Sequence, residues 1–198
     1  MRRPLSALLW LPFLLLAACG TQVERVGVEE VHDLSGAWND TDSRLVAEAM
    51  IEDMLSRPWI RDFVDRHQAK PTVIVGRIRN LSHEHINVNT FIGDIERALI
   101  NSGRVIFVAS RDERGEIREE RKDQDLHASE ETRKPMGRER GADFMLKGTI
   151  NTIVDVADNR QVRYYQVDLN LISLRDNTIV WLGQKKIKKL VTNARIRP

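Results

Sequence analysis

The chain has 198 residues, 31 Lys and Arg against 29 Asp and Glu, 41% apolar residues and one cysteine. A single cysteine excludes an intrachain disulfide, and the ordinary apolar content excludes disorder throughout. The formal charge of +2 sits at the extreme N-terminus. Without residues 1–18 only Arg2 and Arg3 are lost among the charged groups, and the basic residues fall to match the 29 acidic ones. The basic balance therefore implies no nucleic acid partner.

Residues 1–18 have the layout of a secretory signal: Arg2 and Arg3, an apolar run from Leu5 to Ala18, then small residues at the break. The run is shorter than the roughly 20 residues that span a bilayer, and Pro4 and Pro12 interrupt it. Leu16-Ala17-Ala18-Cys19 resembles a bacterial lipobox. The resemblance implies that Cys19 is diacylated and becomes the mature N-terminus. Gly20 stands where an inner-membrane retention signal would place aspartate, so the expected destination is the outer membrane. Several acyl chains together anchor stably where one does not.

Residues 19–40 read as a tether, with no sustained apolar period. The remainder, 41–198, reads as a single α+β domain, long enough for one real core. Asn39-Asp40-Thr41-Asp42 is a helix-start cluster, and Val46, Met50 and Met54 recur at i+4 behind it. Ser56 followed by Pro58 predicts a second helix start, with Trp59, Ile60, Phe63 and Val64 as its apolar stripe. Thr72 to Ile78 is β-branched and predicts a buried strand. Phe91, Ile92, Ile95, Ala98 and Leu99 mark an amphipathic helix that stops at Ser102-Gly103. Val105 to Val108 is a second short strand, so strand, helix and strand form a right-handed crossover between parallel neighbours.

Ser110 and Glu113 form a capping box for a helix of unusual composition. Asp112, Glu116 and Glu120 lie on one i,i+4 line, and Arg114, Arg118 and Lys122 on another, roughly opposite. Ile117 is almost its only large apolar residue, so the helix is expected to be exposed. Ala128 to Arg140 has helical composition, with a kink or late start expected at Pro135. From Phe144 the pattern is β. Alternation at Phe144, Leu146, Ile150 and Val154, then at Tyr165, Val167, Leu169 and Leu171, then at Ile179, Trp181 and Ile187 is separated by Asp158-Asn159 and Asp176-Asn177. Two consecutive antiparallel hairpins follow. The whole is a mixed sheet of four to five strands flanked by helices, β-α-β followed by two hairpins.

No catalytic motif appears: neither a nucleophile elbow, Ser-x-x-Lys nor a P-loop, and an enzyme is not expected. His83-Glu84-His85 lacks a third metal ligand and reads as a solvated loop. Asp40-x-Asp42 lacks the glycine and glutamate of a calcium loop and reads as a helix cap. No metal or cofactor is expected. Two basic groups are the candidate docking residues: Arg114, Arg118 and Lys122 on the charged helix, and Lys186 and Lys188 in the last strand. For the lysines of that strand the competing role is protection of a sheet edge.

Six ordered segments carry a wider resemblance: Val75-Gly76-Arg77-Ile78-Arg79-Asn80, Asp94 to Gly103, Phe107 to Arg111, Gly141 to Leu146, Gly148-Thr149-Ile150 and Tyr165 to Leu169. Together with the lipobox they resemble the penicillin-binding protein activator lipoproteins of the LpoB type, over about residues 71–189. The resemblance implies a fold similar to the N-terminal domain of TolB. It implies an outer-membrane lipoprotein facing the periplasm, which binds a class A penicillin-binding protein, the bifunctional peptidoglycan synthase, and stimulates it allosterically. The alternative is an envelope assembly or secretion-accessory lipoprotein of the curli-secretion type. Its membrane-inserting hairpin is disfavoured by Asp168 and Asn170 on one face of the best hairpin.

Overall fold

The computed structural model describes residues 23–192. Nine elements follow one another: α1 (Asp40–Ser56), α2 (Trp59–His67), β1 (Thr72–Asn80), α3 (Val88–Asn101), β2 (Ile106–Phe107), α4 (Arg111–His127), β3 (Phe144–Ala157), β4 (Arg160–Ser173) and β5 (Ile179–Thr192). The five strands make one sheet in the order β2-β1-β3-β4-β5. β1 is parallel to both β2 and β3, whereas β3, β4 and β5 are antiparallel neighbours. The α+β class, the parallel crossover through α3 and the two hairpins are thus as the sequence predicts. Asp158 and Asn177 adopt left-handed backbone at the two hairpin turns, which suits their short polar side chains.

The capping residues act as their types predict at two helices. The Asn39 side chain accepts from Asp42 N–H, and the Asp42 carboxylate accepts from Asn39 N–H, a complete capping box. Ser110 and Glu113 repeat it at α4. Two expectations fail. Ser56 is the last residue of α1 and donates to Asp53 O, while Pro58 itself occupies the N-cap of α2 with no side-chain cap. Residues 128–143 contain turns and no helix. Pro135 has no N–H to offer, and the backbone N–H of Lys134 is taken by the Gln124 side chain.

The core lies between one face of the sheet and α1, α2 and α3. Alternate residues Leu146, Ile150, Tyr165, Val167, Leu169 and Leu171 are fully buried, beneath Val46, Met50 and Met54 of α1 and Phe91, Ile95 and Leu99 of α3. Trp59 and Phe63 of α2 pack edge-on against Phe144, at 5.0 and 5.5 Å between ring centres. Burial at i, i+4 and i+8 on the helices matches burial at every second residue on the strands.

β1 departs from simple alternation. Val73, Val75 and Ile78 all join the core, and the register shifts between Val75 and Ile78. Without the extra residue, Arg77 and Arg79 would share the parity of Val73 and Val75 and point into the core. The bulge returns Ile78 to the core and leaves both arginines exposed.

Gly148, Leu169 and Gly183 form one cross-strand row on the buried face. A Cβ on Gly148 would lie 2.4 Å from the carbonyl oxygen of Asp168, a backbone atom that cannot step aside. Gly148→Ala is expected to cost about 1–3 kcal/mol, as overpacking does, and to lower the melting temperature by several degrees in thermal denaturation. Gly115→Ala, inside α4 with nothing within 4 Å of its Cβ, is expected not to lower it, since alanine favours a helix interior.

Candidate functional site

The segment leading into α1 is tied to the domain. Residues 33–39, within the stretch read as tether, lie along the buried-face side of β4 and β5. The Asp33 carboxylate accepts from Lys189 Nζ at 2.7 Å and from Asn39 Nδ2 at 2.8 Å, and Lys189 also reaches Asp42 at 2.6 Å. Burial opposes the charge on Lys189, but the two carboxylates outweigh it and raise its pKa above the ordinary value. The same ammonium pulls the Asp33 carboxyl below the usual carboxylate range. Trp38 stands edge-on to Phe91 and Tyr165.

Glu84 closes the arrangement. Its carboxylate accepts from Tyr165 OH at 2.6 Å, from Arg163 at 2.9 Å and from the backbone N–H of Trp38 at 3.1 Å. The Tyr165 hydroxyl also lies 3.2 Å from the carbonyl of Gly36. The loop His83-Glu84-His85 therefore holds a structural hub between two exposed histidines. It was expected to be merely solvated, and periodicity could not reveal that its acid pairs with Arg163, 79 residues away.

Burial, followed by the hydrogen bond to Glu84, pushes the Tyr165 hydroxyl far above its ordinary pKa of 10.0. A group whose pKa is raised by folding stabilises the native state below its unfolded value and loses that contribution as pH rises. Stability is thus expected to decline above about pH 10. Tyr165→Phe leaves an acceptor without its donor and is expected to cost about 1–3 kcal/mol at neutral pH. Its unfolding curve should also be flatter between pH 9 and 11. Chemical denaturation across that range checks both.

The candidate docking residues separate into two groups. α4 has no buried residue. Arg118 holds Glu139 in a two-pronged pair at 2.8 Å, Arg121 joins at 3.4 Å, and Arg114 Nε is enclosed without a hydrogen-bond partner. Arg118 and Arg121 therefore clip the 128–143 loop onto the helix through Glu139, and of the three candidates on this helix only Arg118 takes part. Exposed pairs of this kind contribute little to stability. Arg118→Glu is accordingly expected to leave the melting temperature within a few degrees and to speed tryptic cleavage between residues 128 and 143, measured by limited proteolysis.

Lys186 and Lys188 project from β5 on the face opposite the core, opposite Gln166 and Tyr164 of β4. The helices α1, α2 and α3, which supply the core, pack on the other face. Arg77 and Arg79 of β1 and Lys147 of β3 line a shallow groove there with Thr149, Asp168 and Asn170, and Ile172 and Leu182 supply its apolar part. Sequence reading missed this group, because Lys147 is a single cation and the arginines depend on the bulge.

A half-open pocket of about 290 Å³ is lined by Trp59, Phe63, His67, Phe144, Ser173 and Arg175, among others. Among the described residues no hydrogen bond joins Ser173 to His67. The imidazole stacks on Phe63, and Ser173 Oγ accepts from Arg175 N–H. Nothing there activates a nucleophile. No cluster of three metal-ligating side chains occurs among the described residues. Cys19 lies outside them.

The family model for the peptidoglycan-synthase activator LpoB matches residues 42–187. The chain belongs to this family. That match spans all nine elements except the first two residues of α1 and the end of β5. Among solved structures, the chain is similar to the LpoB C-terminal domain from Escherichia coli, at 18% identity and a TM-score of 0.43, covering 75% of this chain and 99% of that one. It is also similar to the LpoB C-terminal domain from Salmonella enterica, at 16% identity and a TM-score of 0.42 with the same coverage. Lipoprotein GNA1162 from Neisseria meningitidis follows, at 18% identity and a TM-score of 0.38, covering 64% of this chain and 88% of that one. No curated protein gives a significant match to the sequence.

Proposed function

We propose that this chain is an outer-membrane lipoprotein, anchored through Cys19, that binds a class A penicillin-binding protein from the periplasmic side and activates it. The observation that carries the proposal is the match to the synthase-activator family over residues 42–187, behind a lipobox that ends at the chain's only cysteine. Among the described residues no helix is long and apolar enough to cross a membrane. The family match speaks for activation over the curli-type alternative.

Activation by a non-catalytic partner requires differential affinity. The domain must bind the active conformation of the synthase more tightly than the inactive one, and each tenfold difference shifts that equilibrium tenfold. The fold suits such a role. It offers a five-stranded sheet braced on one face by α1, α2 and α3.

The anchor limits where the partner stands. With Asp33 tied to Lys189, about 14 residues remain between Cys19 and the domain. They reach roughly 50 Å when fully stretched and average about 20 Å as a coil. The docking domain of the synthase must therefore come within that distance of the outer membrane.

Reconstitution tests the proposal. The lipidated chain, added to a purified class A synthase from its own organism with lipid II as substrate, is expected to raise the rate of glycan polymerisation several-fold. An unchanged rate, with no detectable complex, would sink the proposal. Cys19→Ala is expected to abolish palmitate incorporation and to move the protein out of the outer-membrane fraction.

A further inference from the structure

The face of the sheet turned away from α1, α2 and α3 carries charge that the molecule itself does not use. On the core side every part-buried cation of the hairpins has its acid: Arg163 has Glu84, and Lys189 has Asp33 and Asp42. On the opposite face Arg77, Arg79 and Lys147 line one groove, and among the described residues none of the three has a carboxylate partner. The groove's single acid, Asp168, is held on both oxygens by the amides of Gln166 and Gln184, at 2.8 and 2.7 Å. Lys186 and Lys188 extend the positive field along β5 on the same face.

Edge protection does not account for this. Lys147 lies on β3, which is paired on both sides by β1 and β4, and a central strand has no edge to protect. Solubility does not demand it either, since the mature chain is balanced in charge. The bulge in β1 makes the point more sharply. A regular strand with the same sequence would turn Arg77 and Arg79 toward the core, and the structure spends one unpaired backbone position to present them outward.

The groove also has the apolar component of a protein interface. Ile172 and Leu182 line it, and Leu182 is 70% exposed. Ile153 and Leu190, 65% and 67% exposed, continue the apolar surface toward the hairpin ends, with Tyr164 opposite Ile153. Exposed apolar and aromatic side chains beside cationic ones are features of a docking surface, and unpaired charge of one sign selects a partner of the other.

We infer that the face of the sheet opposite α1, α2 and α3, centred on Arg77, Arg79 and Lys147, is the docking surface for an acidic, carboxylate-bearing surface of a protein partner. The inference rests on the proposed function and names the partner as the non-catalytic part of the synthase. It assigns docking to this face and not to α4, where Arg118 and Arg121 are occupied by Glu139.

The test uses the full lipidated chain in detergent and the purified synthase, with binding measured by microscale thermophoresis at several salt concentrations. Arg77→Glu, Arg79→Glu and Lys147→Glu combined are expected to weaken binding by at least about tenfold, as loss of complementary charge does, and to flatten its salt dependence. Lys122→Glu on α4 is expected to bind within about twofold of the parent. The three neutral changes to Gln provide an intermediate loss should the reversal disturb folding, which circular dichroism reads directly. If the parent binds the synthase and both triple variants bind equally well, the docking surface is wrong while the proposed function stands. If the parent binds no class A synthase, the proposed function fails, and this assignment of partner fails with it.

Discussion

Three indole N–H groups seat α1, and most of the molecule is arranged around that seat. Trp38 Nε1 donates to Ser43 Oγ in the first turn, Trp59 Nε1 to the carbonyl of Met54 near the end, and Trp181 Nε1 to the Asp53 carboxylate, each at 2.8 Å. The donors come from the segment before α1, from α2 and from β5. A buried indole N–H without a partner is costly, so three separate elements can bury their tryptophans only with α1 in this position. α1 then covers β5 and packs beside α3, and one face of the sheet becomes the core. Asp53 also pairs with Arg57, which with Trp181 holds its carboxyl below the ordinary range. That contribution is present above about pH 4 and is lost as the pH falls.

The same seat explains the fate of the charges. Once α1 lies over the sheet, Asp42 at its first turn faces Lys189, and the segment entering the helix runs past Tyr165 and Glu84. The part-buried cations on the covered face, Arg163 and Lys189, are drawn into pairs, because an unpaired charge there would be poorly solvated. Cations on the uncovered face are under no such pressure. The division between paired and unpaired charge is therefore a consequence of one-sided burial, and it separates residues that hold the fold from residues available to a partner.

Much of the fold was legible in the sequence. Period-2 burial from Phe144 to Leu171, the turns at Asp158 and Asn177, the amphipathic α3 and the capping boxes at Asn39 and Ser110 are local signals, and each appears as an element in the expected place. Residues 128–143 were not legible, because helical composition there is outweighed by Pro135 and by side chains that bind the backbone. Ser56 was misread for a related reason. A serine before a proline suits a cap, but its hydroxyl here serves the helix that is ending. Of the candidate docking residues, Lys186 and Lys188 share a face with the groove, while Arg118 is engaged by the loop after its own helix.

Sequence alone determined the order of the strands and of α1 to α4, and the family through its ordered segments, because each of these is written in neighbouring residues. Tertiary structure alone decided which charges are spent. Nothing local separates Lys189, enclosed by Asp33 and Asp42, from Lys188 beside it, since alternation sends them to opposite faces and only packing covers one of them. Nor could the sequence show that Arg77 and Arg79 face outward. That depends on a bulge whose register is set by pairing with β3, some 70 residues further along the chain.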